Sequence, residues 1–251
     1  MQMLETASLV FTCILALVHV FVGRTRILDK NPDVWKSVAG GVGIAYAFLV
    51  LLPKIGNAQP ILQKATDPGI YGFFEHHSYL VALLGLVLYY GLDIAVETLL
   101  VLPQRRALRP AVATVVYIHA AFFSGYYLLI GYLLAKSRSY MSLSLFTVAM
   151  VLHFLATDSG VRHKYPGLYE RFVRWIFVAS TFGGWVFAMA TEVRYTTLAI
   201  WNSLFAGALI INTIKEKVPS AHGGRFWPFL VGVGGYSLLL LFVEFFDKWS
   251  R

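Results

Sequence analysis

The chain has 251 residues, 58% hydrophobic and 14% charged, with a formal net charge of +8. That balance excludes an ordinary soluble domain. The basic excess does not point to nucleic acid either. Lys and Arg gather at the ends of apolar stretches, where they meet lipid headgroups and set topology.

Eight apolar stretches fill most of the sequence, at about 4–22, 34–53, 76–101, 112–135, 141–158, 172–190, 195–214 and 227–246. A spanning helix needs roughly 20 mostly apolar residues to cross about 30 Å of hydrocarbon. The expectation is an all-α membrane protein, with residues 1–251 forming a single transmembrane domain, short loops and no soluble domain. The first stretch has no basic residue ahead of it, and Arg24 and Arg26 follow. It therefore reads as a retained helix, not a cleaved signal. Cys13, within it, is the one cysteine, so no intrachain disulfide and no cysteine metal site can form. The same stretch carries His19.

The second stretch opens on Trp35-Lys36-Ser37-Val38-Ala39-Gly40-Gly41 and closes on Pro53. Gly40-Gly41-Val42-Gly43 lies inside an apolar helix, so it reads as a packing surface and not a phosphate loop. Glu75, His76 and His77 precede the third stretch and could collect a cation at an entrance, or simply be solvated. Within that stretch Asp93 and Glu97 are four apart and share a helix face. They could relay cations or pair with a basic loop residue such as Arg105 or Arg106. The fourth stretch carries His119 and Ser124; the fifth carries His153, Thr157 and Asp158. The sixth contains Gly183-Gly184. The seventh opens on Trp201-Asn202-Ser203-Leu204-Phe205-Ala206-Gly207 and leads to Pro219. Asn202, Ser203 and Asn212 read as hydrogen bonders between helices. The eighth contains Glu244.

If both termini face outward, the inner loops hold 14 of the 21 Lys and Arg residues. That excess orients a multi-pass protein of a plasma or inner membrane with both termini external. Trp35, Ser37, Gly41, Ile44 and Pro53 recur 166 residues later as Trp201, Ser203, Gly207, Ile210 and Pro219. Under that topology the two copies run in opposite directions. This is the mark of an inverted repeat, with halves at about 1–101 and 172–246 around a central pair at about 112–158. Many transporters are built this way, with their site at the midplane. Chance recurrence of small packing residues is the alternative.

These residues resemble the ZIP family of divalent-metal transporters. The shared features are Ala39-Gly40-Gly41 leading to Leu51-Leu52-Pro53-Lys54, Gly85 followed by Tyr89-Tyr90-Gly91-Leu92-Asp93, Gly183-Gly184, and Glu216 with Pro219. The resemblance covers nearly the whole chain as an order of weak motifs. It implies eight spans in a 3+2+3 inverted-repeat bundle and transport of a divalent ion such as zinc. The departures fall on the ligands. The family's His-Asn-x-x-(Asp/Glu)-Gly in span 4 is matched by His119 to Gly125, one residue longer, with Ser124 near the carboxylate position. Its His-Glu-x-x-His-Glu in span 5 is matched by His153-Phe154-Leu155-Ala156-Thr157-Asp158. Phe154 replaces a Glu, Thr157 the second His and Asp158 the last Glu. The family's His-rich loop between spans 3 and 4 is reduced to a few residues near Pro103–Arg109.

Two buried imidazoles and one carboxylate would suffice for an open zinc site, which makes His119, His153 and Asp158 the candidate metal ligands. Ser124, Thr157, Asp93 and Glu97 are candidates for the ion's path. His153 and Asp158 are five residues apart, about 140° around an ideal helix, and share a face only if the helix bends. The other reading is that each His bonds to a neighbouring helix. Two of His19, His119 and His153 could ligate a haem, but no cytochrome b spacing is present. Lys215 and Lys217 sit at a span end and exclude a retinal site. No hydrolase or nucleotide motif appears, so the chain does not read as an enzyme. The leading expectation is a divalent-cation carrier with altered ligands; the alternative is a ZIP-like subunit for binding, sensing or assembly that does not transport. The bilayer is the expected partner, a homodimer or other membrane partner is compatible, and nucleic acid is not.

Overall fold

The computed structural model describes residues 2–22, 32–64, 77–101, 109–137, 139–164, 166–217 and 225–249. All regular structure among them is helical. Helix α1 is Gln2–Phe21. Helix α2 runs Pro32–Tyr46, passes through a π-helical turn at Ala47–Leu51 and continues as Leu52–Gln63. Then follow α3 (Ser78–Val101), α4 (Arg109–Ala135) and α5 (Tyr140–Lys164). Helix α6 comprises Pro166–Leu168, a second π turn at Tyr169–Val173, and Arg174–Ala190. Helices α7 (Tyr195–Lys217) and α8 (Phe226–Trp249) complete the order.

Seven of these helices are long and apolar enough to cross a membrane, which supports a multi-pass all-α membrane protein. In α8 the apolar stretch is the shorter Phe226–Phe242, within a helix of 24 residues. The sequence places the end of the second span at Pro53, but the helix runs on to Gln63. Proline lacks an N–H, and its ring crowds the carbonyl four residues back, here that of Leu49. Leu49 lies within the π turn, where the wider coil accommodates the ring. The fifth helix likewise extends past Asp158 to Lys164, and within that extension Arg162 pairs with Glu170.

The fold divides into two compact units interleaved along the sequence: residues 1–49, 127–192 and 213–251, and residues 50–126 and 193–212. In the first, α2 crosses α8 at a seam of reciprocal glycines. A Cβ on Gly41 would collide with the carbonyl of Phe229, and one on Gly232 with the carbonyl of Val38. Five residues beyond Gly41, Tyr46 faces Tyr236, their ring centroids 6.3 Å apart. In the second unit α3 crosses α7 in the same manner. Gly207 meets the Ala82 carbonyl, and Gly85 meets that of Leu204. Tyr89 donates to Asn212 Oδ1 at 2.8 Å. Close approach of this kind drives helix association in lipid, where apolar burial gives no net gain.

The register of the two seams matches throughout. Gly207, Leu204 and Asn212 each lie 166 residues after Gly41, Val38 and Tyr46. Phe229, Gly232 and Tyr236 each lie 147 residues after Ala82, Gly85 and Tyr89. In the first unit a further glycine seam joins α4 to α6, with Gly131 against the Thr181 carbonyl and Gly184 against that of Leu128.

Candidate functional site

The acid at the centre of the first unit is Asp158, on α5, with its side chain fully buried. A carboxylate so placed must be paired and hydrogen-bonded to be tolerable. Three helices supply the donors. Tyr127 of α4 donates its hydroxyl to Oδ1 at 2.6 Å. Tyr169 of α6 reaches Oδ2 at 2.8 Å. His19 of α1 brings Nδ1 to Oδ2 at 2.5 Å. The π turn that begins at Tyr169 keeps Tyr169 and Val173 both buried while Glu170, Arg171 and Phe172 turn outward or to the rim. The Tyr169 oxygen also lies 3.0 Å from the backbone carbonyl of His19.

Thr181 of α6 adds a further polar contact to this cluster. The Thr181 hydroxyl donates to the Phe177 carbonyl at 3.0 Å and lies 3.3 Å from His19 Nε2. Contacts from α1, α4 and α6 thus hold the carboxyl of Asp158 and the ring of His19 in one buried cluster. Aromatic rings close it off. Phe154 stacks on His19 with centroids 4.9 Å apart and meets Tyr127 edge-on at 4.7 Å. Phe177 packs against Tyr127 at 4.6 Å. Nearer the other end of α1, Trp185 Nε1 donates to Ser8 Oγ at 2.9 Å, a second tie between α6 and α1.

The candidate ligands have different neighbours. His153, on the same unbroken α5 as Asp158, lies against Tyr46 of α2 with centroids 4.2 Å apart. The expected divergence of about 140° between positions five apart is realised, and Asp158 turns instead to α1, α4 and α6. In the second unit His119 is buried against Tyr89, centroids 4.9 Å apart, and against Phe123 at 5.5 Å. Among the described residues no three His, Cys, Asp or Glu side chains form a group that could hold a metal ion.

Of the expected path residues, Ser124 donates to the Ala120 carbonyl at 2.7 Å, a bond within its own helix. Thr157 and Asp93 are buried, while Glu97 is exposed four residues from Asp93. His77 is exposed and, with Gln59, Tyr79 and Leu80, lines a surface depression. Glu75 and His76 lie outside the described residues, as does Pro219 of the repeat. Gln59 caps the start of α3, accepting from the Ser78 backbone N–H at 2.8 Å and its hydroxyl at 2.7 Å.

Sequence reasoning does not join His19, Tyr127 and Tyr169 to Asp158. His19 carries a signal, since an imidazole inside a span needs a partner, but that partner is 139 residues away. The two tyrosines carry none, because tyrosine is common in spans. Comparison with family models, with curated proteins and with solved structures finds no match to this chain.

Proposed function

We propose that this chain is a ZIP-like integral membrane protein built as a 3+2+3 inverted repeat. In this reading its would-be cation position is occupied by its own side chains, and it serves as a binding, sensing or assembly subunit rather than a metal carrier. One observation carries the functional part. The carboxylate that would complete a ligand set, Asp158, is bonded to Tyr127, Tyr169 and His19. To bind a divalent ion it would have to give up donors from three helices. Phe154, standing where the family has a Glu, is stacked on His19 and offers no lone pair. The repeat is supported by the matched registers of 166 and 147 residues in two glycine seams, which unrelated small-residue packing has no reason to share.

The second reading, a divalent-cation carrier with altered ligands, draws on His119 and His153, each buried on a central helix. Elemental analysis of the purified chain together with zinc uptake into proteoliposomes separates the two. The expected result is no stoichiometric metal and no saturable uptake. Saturable uptake abolished by His119→Ala with His153→Ala, in a protein that still folds, would establish the carrier instead.

A further inference from the structure

The first turns of α6 carry an ion cluster that the buried pair does not use. Both oxygens of Glu170 are occupied: Arg162 Nε binds Oε1 and Arg174 Nη1 binds Oε2, each at 2.8 Å. One carboxylate thus faces two guanidiniums. Beside it Arg171 is exposed, makes no ion pair among the described residues, and lies over the Phe172 ring at 5.1 Å. Arg174 lies over Trp175 at 5.2 Å, and its Nε is buried without a hydrogen-bond partner among the described residues. Counted together, three guanidiniums and one carboxylate leave an excess of two positive charges. The span itself begins at Tyr169, so this excess sits at the edge of the apolar layer.

The apolar neighbours are as informative as the charges. Phe172, Trp175 and Ile176 are 41%, 51% and 37% exposed, and they lead from the arginines into the span. The π turn accounts for the arrangement, because the wider coil leaves three consecutive outer positions between Tyr169 and Val173. A guanidinium presents a planar fork suited to a phosphate, and here it stands directly above an aromatic and aliphatic strip. A free anion would use only the first part of this surface, and a neutral lipid only the second.

We propose that the α6 ledge of Arg171, Arg174, Phe172 and Trp175 is a binding site for one anionic phospholipid. The phosphate is held at Arg171 and Arg174, and an acyl chain lies along Phe172, Trp175 and Ile176. Glu170 is a positioning residue: by holding Arg162 and Arg174 it fixes the fork at the membrane edge.

The test is native mass spectrometry of the full chain, released from nanodiscs that mix phosphatidylglycerol and phosphatidylcholine with identical acyl chains. The wild type should retain one phosphatidylglycerol in preference to phosphatidylcholine. Each basic residue near a membrane surface contributes a factor of roughly five to anionic-lipid attraction, so Arg171→Gln should lower the preference about fivefold. Arg171 has no ion-pair partner among the described residues to orphan, so this variant should fold even if an Arg174→Gln variant does not. Arg194→Gln, at an exposed position before α7, should leave the preference unchanged. Equal retention of the two lipids by the wild type would overturn the site. So would an undiminished preference in Arg171→Gln, or an equal loss in Arg194→Gln.

Discussion

Asp158 ties four helices through one side chain, and that sets the cost of changing it. In membranes single hydrogen bonds average only about 0.6 kcal/mol and reach about 1.7 kcal/mol. Tyr127→Phe and Tyr169→Phe should therefore each cost about 1 kcal/mol. Asp158→Ala removes the partner of His19, Tyr127 and Tyr169 at once and leaves three buried polar groups without it. Leaving a buried polar group unsatisfied costs about 1–3 kcal/mol for each group. Thermal unfolding in detergent should rank Asp158→Ala far below either Phe variant, with Asp158→Asn between them. Similar melting temperatures for Asp158→Ala and Tyr127→Phe would show that the cluster is not held together through Asp158. Phe154→Ala should also be severe, about 3–5 kcal/mol, because it empties the face of His19 and the edge of Tyr127. At this scale the sequence is partly legible. Helix geometry alone sets the angle between His153 and Asp158, and it warns that the two do not converge on one ion. The partner of Asp158 leaves no such trace, because nothing local links α5 to a residue 139 positions earlier.

At the scale of helices, the apolar pattern locates each element, and glycine positions anticipate the α2 and α7 packing faces. What the pattern does not give is continuity through a proline. Pro53 reads as an end, whereas the π turn at Ala47–Leu51 lets α2 pass it. The glycines separate into two kinds by what surrounds them, and adjacent residues fall on opposite sides. Gly184 has the Leu128 carbonyl where a Cβ would stand, while Gly183 has nothing within 4 Å. Both are in the interior of a helix, where Ala is favoured over Gly by about 0.5–1 kcal/mol. Gly183→Ala should thus be neutral or slightly stabilising. Gly184→Ala must push α6 away from α4 and should destabilise by about 1–3 kcal/mol. The same contrast holds between Gly91, which is open, and Gly41 or Gly207, which are closed by backbone. Melting temperatures that fall equally for Gly183→Ala and Gly184→Ala would mean that the seam is looser than its geometry.

At the scale of the whole chain, charge and repeat make linked demands that one experiment can examine. The matched registers pair α2 with α7 and α3 with α8, and an inverted repeat requires the members of each pair to cross the membrane in opposite directions. From the distribution of Lys and Arg the expectation is that the start of α2 is inside and the start of α7 outside. A direct repeat would need the same pairing with parallel directions, and it would contradict the charge count. In a Cys13→Ser background, Asp33→Cys should therefore be labelled by an impermeant thiol reagent only after the inner face is opened. Arg194→Cys should be labelled from outside in sealed vesicles of right-side-out orientation. Both positions are exposed, so a failure to react would not be a matter of burial. Labelling of the two from the same side would remove the inverted repeat, and with it the ground for a ZIP-like bundle. It would leave the glycine seams and the His19–Asp158 pair untouched, because each lies within one unit of the fold. Opposite labelling would tie the shared registers to an axis in the membrane plane. The difference between the halves would then stand out as chemistry: Tyr89 meets an amide in Asn212, whereas at the equivalent level Tyr236 meets the ring of Tyr46.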